Sequence, residues 1–283
     1  MITIKNKKLK RWFNQKNVGE RMNEIEIDNY NFTDKVFAFL ENCILDEISI
    51  GCSDSNVFKV NKDNNIYYLK MAKKGLLKSE YDKLKWLQGR ICVPKIVLYD
   101  ESDDYEYLIT ESVEGEMVCS DYYQNNQELG LEVIKEAFNN IIDVDISNCP
   151  FDVSIEYKLA LVENNVMNNL VSDNDLKKET LERFGSAKNL LKFLKDNKFV
   201  EEKCFSHGDT SLPNIFANNN KFSGFIDVGE CGIADKWFDL AICEKSIKRN
   251  YGEEYVSKFY EKLDVIPDRD KIDYYLLMME LYL

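Results

Sequence analysis

The chain has 283 residues and one histidine, which stands in the stretch FSHGDTSLPNIF, residues 205–216. His207-Gly208-Asp209 is followed at position 214 by an asparagine, and Asp227-Val228-Gly229 comes eighteen residues after Asp209. A carboxylate in the first cluster can take a proton from a hydroxyl. An amide oxygen and a second carboxylate are hard oxygen ligands of the kind Mg²⁺ takes. The pattern H-x-D-x₄-N with D-x-G beyond it is therefore a residue set for phosphoryl transfer: Asp209 for the acceptor proton, Asn214 and Asp227 for the metal. The segment between them, NIFANNNKFSGFID, reads as a hairpin with an Asn-rich turn. Asn214 precedes its first strand and Asp227 closes its second, so pairing would set the two ligands side by side.

This is also the catalytic-loop spacing of protein kinases, and that chemistry needs two more parts. One is a strand lysine for the α and β phosphates; the other is a helix glutamate that holds it. In IYYLKMA, strand alternation puts Ile66, Tyr68 and Lys70 on one face and Tyr67, Leu69 and Met71 on the other. Lys70 thus shares a face with an aromatic ring able to cover a purine. Glu80 lies at helical spacing with Leu84 and Leu87, and a carboxylate on an apolar face needs a partner. The alternatives are an ordinary surface lysine and glutamate, and a Tyr68 that only packs.

The elements that must position these residues are legible from periodicity. Residues 32–45 read as a helix, followed by two strands around the turn NKDNN, with the small polar loop GCSDS at 51–55. LLKSEYDKLKWLQGR reads as a helix ending at Gly89. KIVLYD and EYLITES read as a strand pair. Beyond Val113 the pattern turns helical at 127–143, 155–170, 176–196, 235–250, 252–263 and 268–283, with the hairpin as the one β island. A strand-rich first part and a helix-rich second part give an α+β fold in two lobes. We divide it into a basic extension 1–21, a lobe 22–113 and a lobe 114–283, with Met22 as a candidate native start.

Composition limits the partners. The net charge is −13, and residues 1–113 carry 18 Lys/Arg against 18 Asp/Glu, whereas 114–283 carry 19 against 32. An acidic second half disfavours nucleic acid and anionic membranes and favours a small polycation. The eight cysteines form no C-x-x-C pair, and one histidine cannot build a zinc cluster with them. No signal-peptide core or bilayer-length apolar run is present, so the expectation is a cytoplasmic protein with reduced thiols, a monomer or weak homodimer.

YLKM, HGDTSLPNIF, GFIDVG and ADKWFDLA resemble the aminoglycoside phosphotransferase family, most of all its 3′-phosphotransferase branch, from about residue 30 to the C-terminus. The resemblance implies a bilobal, protein kinase-like fold that uses ATP or GTP with Mg²⁺ to phosphorylate an aminoglycoside hydroxyl and so inactivate the antibiotic. It implies that Asp209 orients and deprotonates the acceptor, that Asn214 and Asp227 hold Mg²⁺, that Lys70 binds phosphates and that Glu80 fixes Lys70. Tyr68 would stack on the base, the Glu111 carbonyl and Val113 amide would meet its edge, and Ser53 would reach the β-phosphate. His207 would be structural and Asp239 a buried brace, the alternative for Asp239 being plain helix surface.

For the acceptor's ammonium groups the resemblance points to Asp175, Glu179 and Glu280, with Tyr282 as the terminal aromatic; Asp175 also reads as a simple helix cap. Four departures from the branch fall here. Glu230 stands where a basic residue is usual, Arg249 where an acid is usual, Met279 replaces an acid, and Leu283 extends past the terminal aromatic. The expectation is an intact phosphate-handling apparatus with an altered amine-reading surface. Competing readings are a choline-, ethanolamine- or macrolide-type acceptor, and a nucleotide-binding protein without catalysis. A quaternary amine would call for an aromatic box rather than carboxylates. A regulatory protein would be expected to lack one of Lys70, Asp209, Asn214 and Asp227.

Overall fold

The computed structural model describes residues 2–3, 32–48 and 55–282, and the chain divides into two compact units. The first comprises residues 1–88 and 94–112, the second 89–93 and 113–283. Ser53 and, apart from residues 2–3, the basic segment 1–21 lie outside the described residues.

The first unit is built on an antiparallel sheet of β1 (Ile2–Thr3), β2 (Ile44–Ile48), β3 (Asn56–Lys62), β4 (Asn65–Lys73), β5 (Ile96–Glu101) and β6 (Tyr105–Glu111). Its strand order is β1-β2-β3-β4-β6-β5. β3 and β4 pair from Asn56↔Met71 to Lys62↔Asn65, leaving Asp63 and Asn64 as a two-residue turn. Both have positive φ, 49° and 62°, the backbone that matches strand twist and that Asp and Asn tolerate. Strand alternation then buries Leu69 and Met71 in a core with Val36, Leu40, Phe58, Val60, Tyr107 and Ile109.

The helix expected over 32–45 is shorter: α1 spans Asp34–Leu40. The Thr33 hydroxyl caps it, accepting from the Val36 amide at 3.3 Å. Asn42 turns the chain out of the helix at φ 62°, and Ile44–Ile48 then pairs with β3. The apolar residues beyond Leu40 still reach the core, but from a strand. The helix α2 spans Lys78–Leu87. Its first turn is held by Glu106, 2% exposed, whose Oε2 accepts from the amides of Leu77 at 2.6 Å and Lys78 at 3.0 Å. A carboxylate at a helix N-terminus satisfies orphan donors and complements the helix dipole.

The second unit is mostly helical: α3 (Asp121–Gln124), α4 (Gln127–Ile142), α5 (Ile155–Met167), α6 (Lys178–Phe184), α7 (Ala187–Asp196), α8 (Lys236–Asn250), α9 (Tyr255–Leu263) and α10 (Arg269–Met278). The single helix expected over 176–196 is two. Gly185 ends α6 at φ 77°, and the Ser186 hydroxyl caps α7 by accepting from the Asn189 amide at 3.2 Å. The β content exceeds the one expected hairpin. β7 (Glu116–Met117) joins β9 (Ile215–Asn218) and β10 (Lys221–Phe225), and β8 (Lys203–Ser206) pairs with β11 (Gly232–Asp235). The unexpected strands β7, β8 and β11, two to four residues long, are too short to show a period against the surrounding helical pattern. No helix among the described residues is long and apolar enough to cross a membrane.

Candidate active site

In the first unit, Lys70 Nζ lies 2.9 and 2.8 Å from the two carboxylate oxygens of Glu80. Both side chains are mostly buried. The position of Glu80 in the first turn of α2 is fixed by Glu106, the residue that sequence reasoning missed. Its one signal was a glutamate sharing a face of YEYLITE with Leu108, opposite Tyr107 and Ile109. Tyr68 is half-buried on β4, two residues from Lys70 and on the same face; burial pushes its hydroxyl up. Glu111 ends β6, its amide bonded to the Lys95 carbonyl at 2.9 Å. The Ser112 amide makes the last bond to β4, at the Ile66 carbonyl, and Val113 begins the longer segment of the second unit.

In the second unit, the loop 207–214 runs from the end of β8 to the start of β9. Its conformation follows from where its backbone donors go. The amides of His207 and Gly208 donate to the two carboxylate oxygens of Asp239 at 2.8 and 3.0 Å. The Thr210 hydroxyl donates to the Asp239 carbonyl at 2.6 Å. Asp239 is 2% exposed, so it is a buried brace and not helix surface. Burial pushes its carboxyl above the ordinary value, against the lowering effect of the two amides and the Ser206 hydroxyl.

His207 is also buried. Its Nδ1 accepts the Asp209 amide at 3.2 Å, which leaves Nε2 to donate to the Ile226 carbonyl at 3.1 Å. That pairing assigns the neutral tautomer with its proton on Nε2. The ring therefore ties the loop to the end of the hairpin and has no atom left for chemistry. Gly208 is obligatory for two reasons. Its φ is +85°, and a Cβ there would lie 2.3 Å from the backbone oxygen of Glu230.

Asp209 is half-buried, and its carboxylate is aimed by two donors. The Ser211 amide reaches Oδ1 at 3.2 Å and Asn214 Nδ2 reaches Oδ2 at 2.8 Å. Asn214 Nδ2 also donates to the Asp209 carbonyl at 3.1 Å. With its nitrogen so committed, the Asn214 amide oxygen is turned away from Asp209. The hairpin register Phe225↔Ile215, extended by the Ile226 amide on the Asn214 carbonyl at 3.0 Å, brings Asn214 and Asp227 to the same open end. Asp227 is exposed and sits at φ 58°, ψ 58°, an unusual backbone for a non-glycine residue. Such conformations persist where the surroundings over-determine them, and they cluster at functional positions.

The residues expected around the acceptor are divided by the structure. Glu230 is exposed, and its backbone presses on Gly208, so it stands beside the loop 207–214. Tyr282 belongs to the same neighbourhood: burial, then the Glu230 and Tyr157 charges, push its hydroxyl well up. Its ring packs 6.4 Å from Phe238. Glu280 is spent differently. Its oxygens accept from the Lys177 amide at 2.9 Å and the Thr180 hydroxyl at 3.0 Å, pinning the start of α6. Asp175 closes a capping box, its Oδ2 accepting from the amide and hydroxyl of Ser172 at 2.8 and 2.7 Å. Glu179 is exposed on the first turn of α6, and Arg249 is exposed in the last turn of α8. A cavity of about 560 Å³ elsewhere in this unit, lined by Val256, Tyr260, Val265 and Arg269 among others, shares no residue with the loop.

The chain is similar to known proteins over most of its length. The model of the phosphotransferase enzyme family matches residues 45–275. An aminoglycoside 3′-phosphotransferase of Enterococcus faecalis is 38% identical over 242 residues, covering 82% of this chain and 91% of that protein. One from Staphylococcus aureus is 37% identical over the same shares. The crystal structure of an aminoglycoside 3′-phosphotransferase of type VIII superposes with a TM-score of 0.73 at 25% identity, covering 85% of this chain and 94% of that one. The fold is thus the α+β, protein kinase-like class read from the sequence. By sequence, by fold and by the motifs in loop and hairpin, the chain belongs to the aminoglycoside phosphotransferase family of phosphotransferase enzymes.

Proposed function

We propose that this enzyme transfers the γ-phosphate of ATP or GTP, as a Mg²⁺ complex, to a hydroxyl of an aminoglycoside. The observation that carries the reading is the doubly anchored Asp209 carboxylate, adjoining a hairpin end that presents Asn214 and Asp227 together. The donor set suits Mg²⁺: one amide oxygen and one carboxylate are hard ligands. When bound, Mg²⁺ supplies neutralisation of the charge on the β and γ phosphates.

The chain's own residues supply positioning. Asp209 accepts the proton of the attacking hydroxyl, and a base so placed contributes about 10²–10⁴-fold. Lys70, fixed by Glu80, binds the α and β phosphates. Tyr68 covers the purine, and the Glu111 carbonyl and Val113 amide meet its edge. This assigns nucleotide binding mainly to residues 22–113 and the acceptor to 114–283. Glu230, beside Gly208, takes the ammonium nearest the reacting hydroxyl, with Tyr282 behind it. Glu179 and Arg249 present exposed charges from α6 and α8. Glu280 and Asp175 support the acceptor surface through the caps they make.

The test is Asp209→Asn, assayed for ADP release with ATP, GTP and a set of aminoglycosides, with product mass measured for an added phosphate. Turnover should fall at least 10²-fold while nucleotide affinity is kept. Undiminished turnover in the variant would end this assignment.

A further inference from the structure

The helix α8 meets the catalytic loop at two places. Asp239 holds its beginning, as described above. Seven residues on, and so on the same face of the helix, Ser246 holds its end. The Ser246 hydroxyl oxygen accepts the Leu212 amide at 2.9 Å. Leu212 is fully buried and Ser246 nearly so, at 0% and 8% exposure.

Leu212 begins the short 3-10 turn Leu212–Asn214. Pro213 has no amide proton, and the Asn214 amide bonds back to the Ser211 carbonyl at 2.9 Å. The Leu212 amide is therefore the turn's one backbone donor tied to another element. One helical turn beyond Ser246, Asn250 Nδ2 donates to the Ser246 carbonyl at 2.7 Å and to its hydroxyl oxygen at 3.3 Å. The hydroxyl thus receives two N–H donors, which sets its rotamer.

We propose that Ser246, oriented by Asn250, is a positioning residue for metal binding: through the Leu212 amide it fixes the turn that aims Asn214. The inference rests on the reading of Asn214 as a Mg²⁺ ligand. The link is stiff because Pro213, with its locked φ, lies between the anchored amide and the ligand. Without the hydroxyl, a buried N–H is left without an acceptor, and the turn can re-satisfy it only by moving. Such movement carries Asn214 Nδ2 off its two contacts on Asp209. Partners that orient metal ligands typically contribute about 10–100-fold in metal affinity.

The experiment uses the full chain and Mn²⁺ as the probe, read by electron paramagnetic resonance in the presence of ADP. Ser246→Ala should weaken Mn²⁺ binding about 10-fold and raise the Mg²⁺ needed for half-maximal turnover by the same factor. ADP affinity without metal should stay within about twofold, and Ser246→Thr, which keeps the hydroxyl, should restore most of the loss. Mn²⁺ affinity in Ser246→Ala equal to that of the parent overturns the inference. If that variant does not fold, Asn250→Ala serves: it keeps the Leu212 bond but loosens the hydroxyl, and should weaken Mn²⁺ about threefold, with no change overturning the inference. Failure of the underlying reading looks different. A parent that binds no Mn²⁺ with ADP, or an Asn214→Ala variant that binds it normally, overturns both.

Discussion

Replacing Asp239 by Asn tests whether the loop 207–214 is held from behind or merely adjoins α8. The side chains are nearly isosteric, so the change is electronic. In the parent both carboxylate oxygens accept backbone amides, at 2.8 and 3.0 Å. In the amide, one oxygen becomes an NH₂ group facing an N–H, so one bond is lost and two donors oppose each other. Hydrogen bonds to a charged acceptor contribute about 1.5–3 kcal/mol each, and an unmet buried donor costs about 1–3 kcal/mol. Against this, the variant no longer buries a charge, whose cost is visible in the raised carboxyl pKa of the parent. We expect a net loss of about 2–3 kcal/mol, a melting temperature lower by about 3–5 °C. A protein with about 5–15 kcal/mol of stability remains folded at 25 °C after that loss. Any fall in turnover there reports displacement of the loop, and a shift near 1 Å at Asp209 costs about 10²-fold. The measurements are thermal unfolding and ADP release at saturating substrates. A variant with parental melting temperature and turnover within about twofold of the parent would refute the bracing role.

Gly208→Ala should cost at least about 2 kcal/mol, from the left-handed backbone and the contact with the Glu230 carbonyl, and should lower turnover with it; an unchanged denaturant midpoint would contradict the tight loop. The acid limb of stability should be set partly by Glu244 and Glu202. Burial opposes ionisation of Glu244, but hydrogen bonds from Tyr260 and Lys248 and the charges of Lys248 and Arg269 outweigh it and hold it below its ordinary value of 4.5. Lys236, Trp237 and Lys271 bring Glu202 down to about 2. Both folded values lie below the unfolded ones, so this stability is complete above pH 4.5 and is lost as pH falls toward 2. Glu244→Gln should therefore be less stable near neutrality by about 3 kcal/mol, and the gap should close in acid. A gap in melting temperature that does not vary with pH would disprove the assignment.

The parts of the site that the sequence made legible are those whose partners are near in sequence or share a simple period. The residues of His207–Asn214 fix one another through bonds spanning two to five positions, and the hairpin returns Asp227 by local pairing. Lys70 and Glu80 were legible because strand and helix periods each leave one charged residue on a face that must be paired. What was illegible depends on partners far along the chain. Ser246 acts on Leu212 across 34 positions, Glu106 on Leu77 across 29, and Glu280 on Lys177 across 103. Each is a single polar residue whose role is invisible until the fold supplies its donor. The break at Gly185 was missed for a different reason: the apolar period continues across it, so only the glycine marks the change of direction.

Asp239 and Ser246 make α8 a ruler. Seven residues of helix span about 10.5 Å, and that length is matched to the stretch of loop between Gly208 and Leu212. Many substitutions on the far side of the helix are compatible with this, but its residue count between the two contacts is not free. One inserted residue would rotate Ser246 by about 100° and strip the loop of one anchor. In this segment, length is under stricter constraint than composition, and insertions or deletions between 239 and 246 should be absent from functional descendants of this chain.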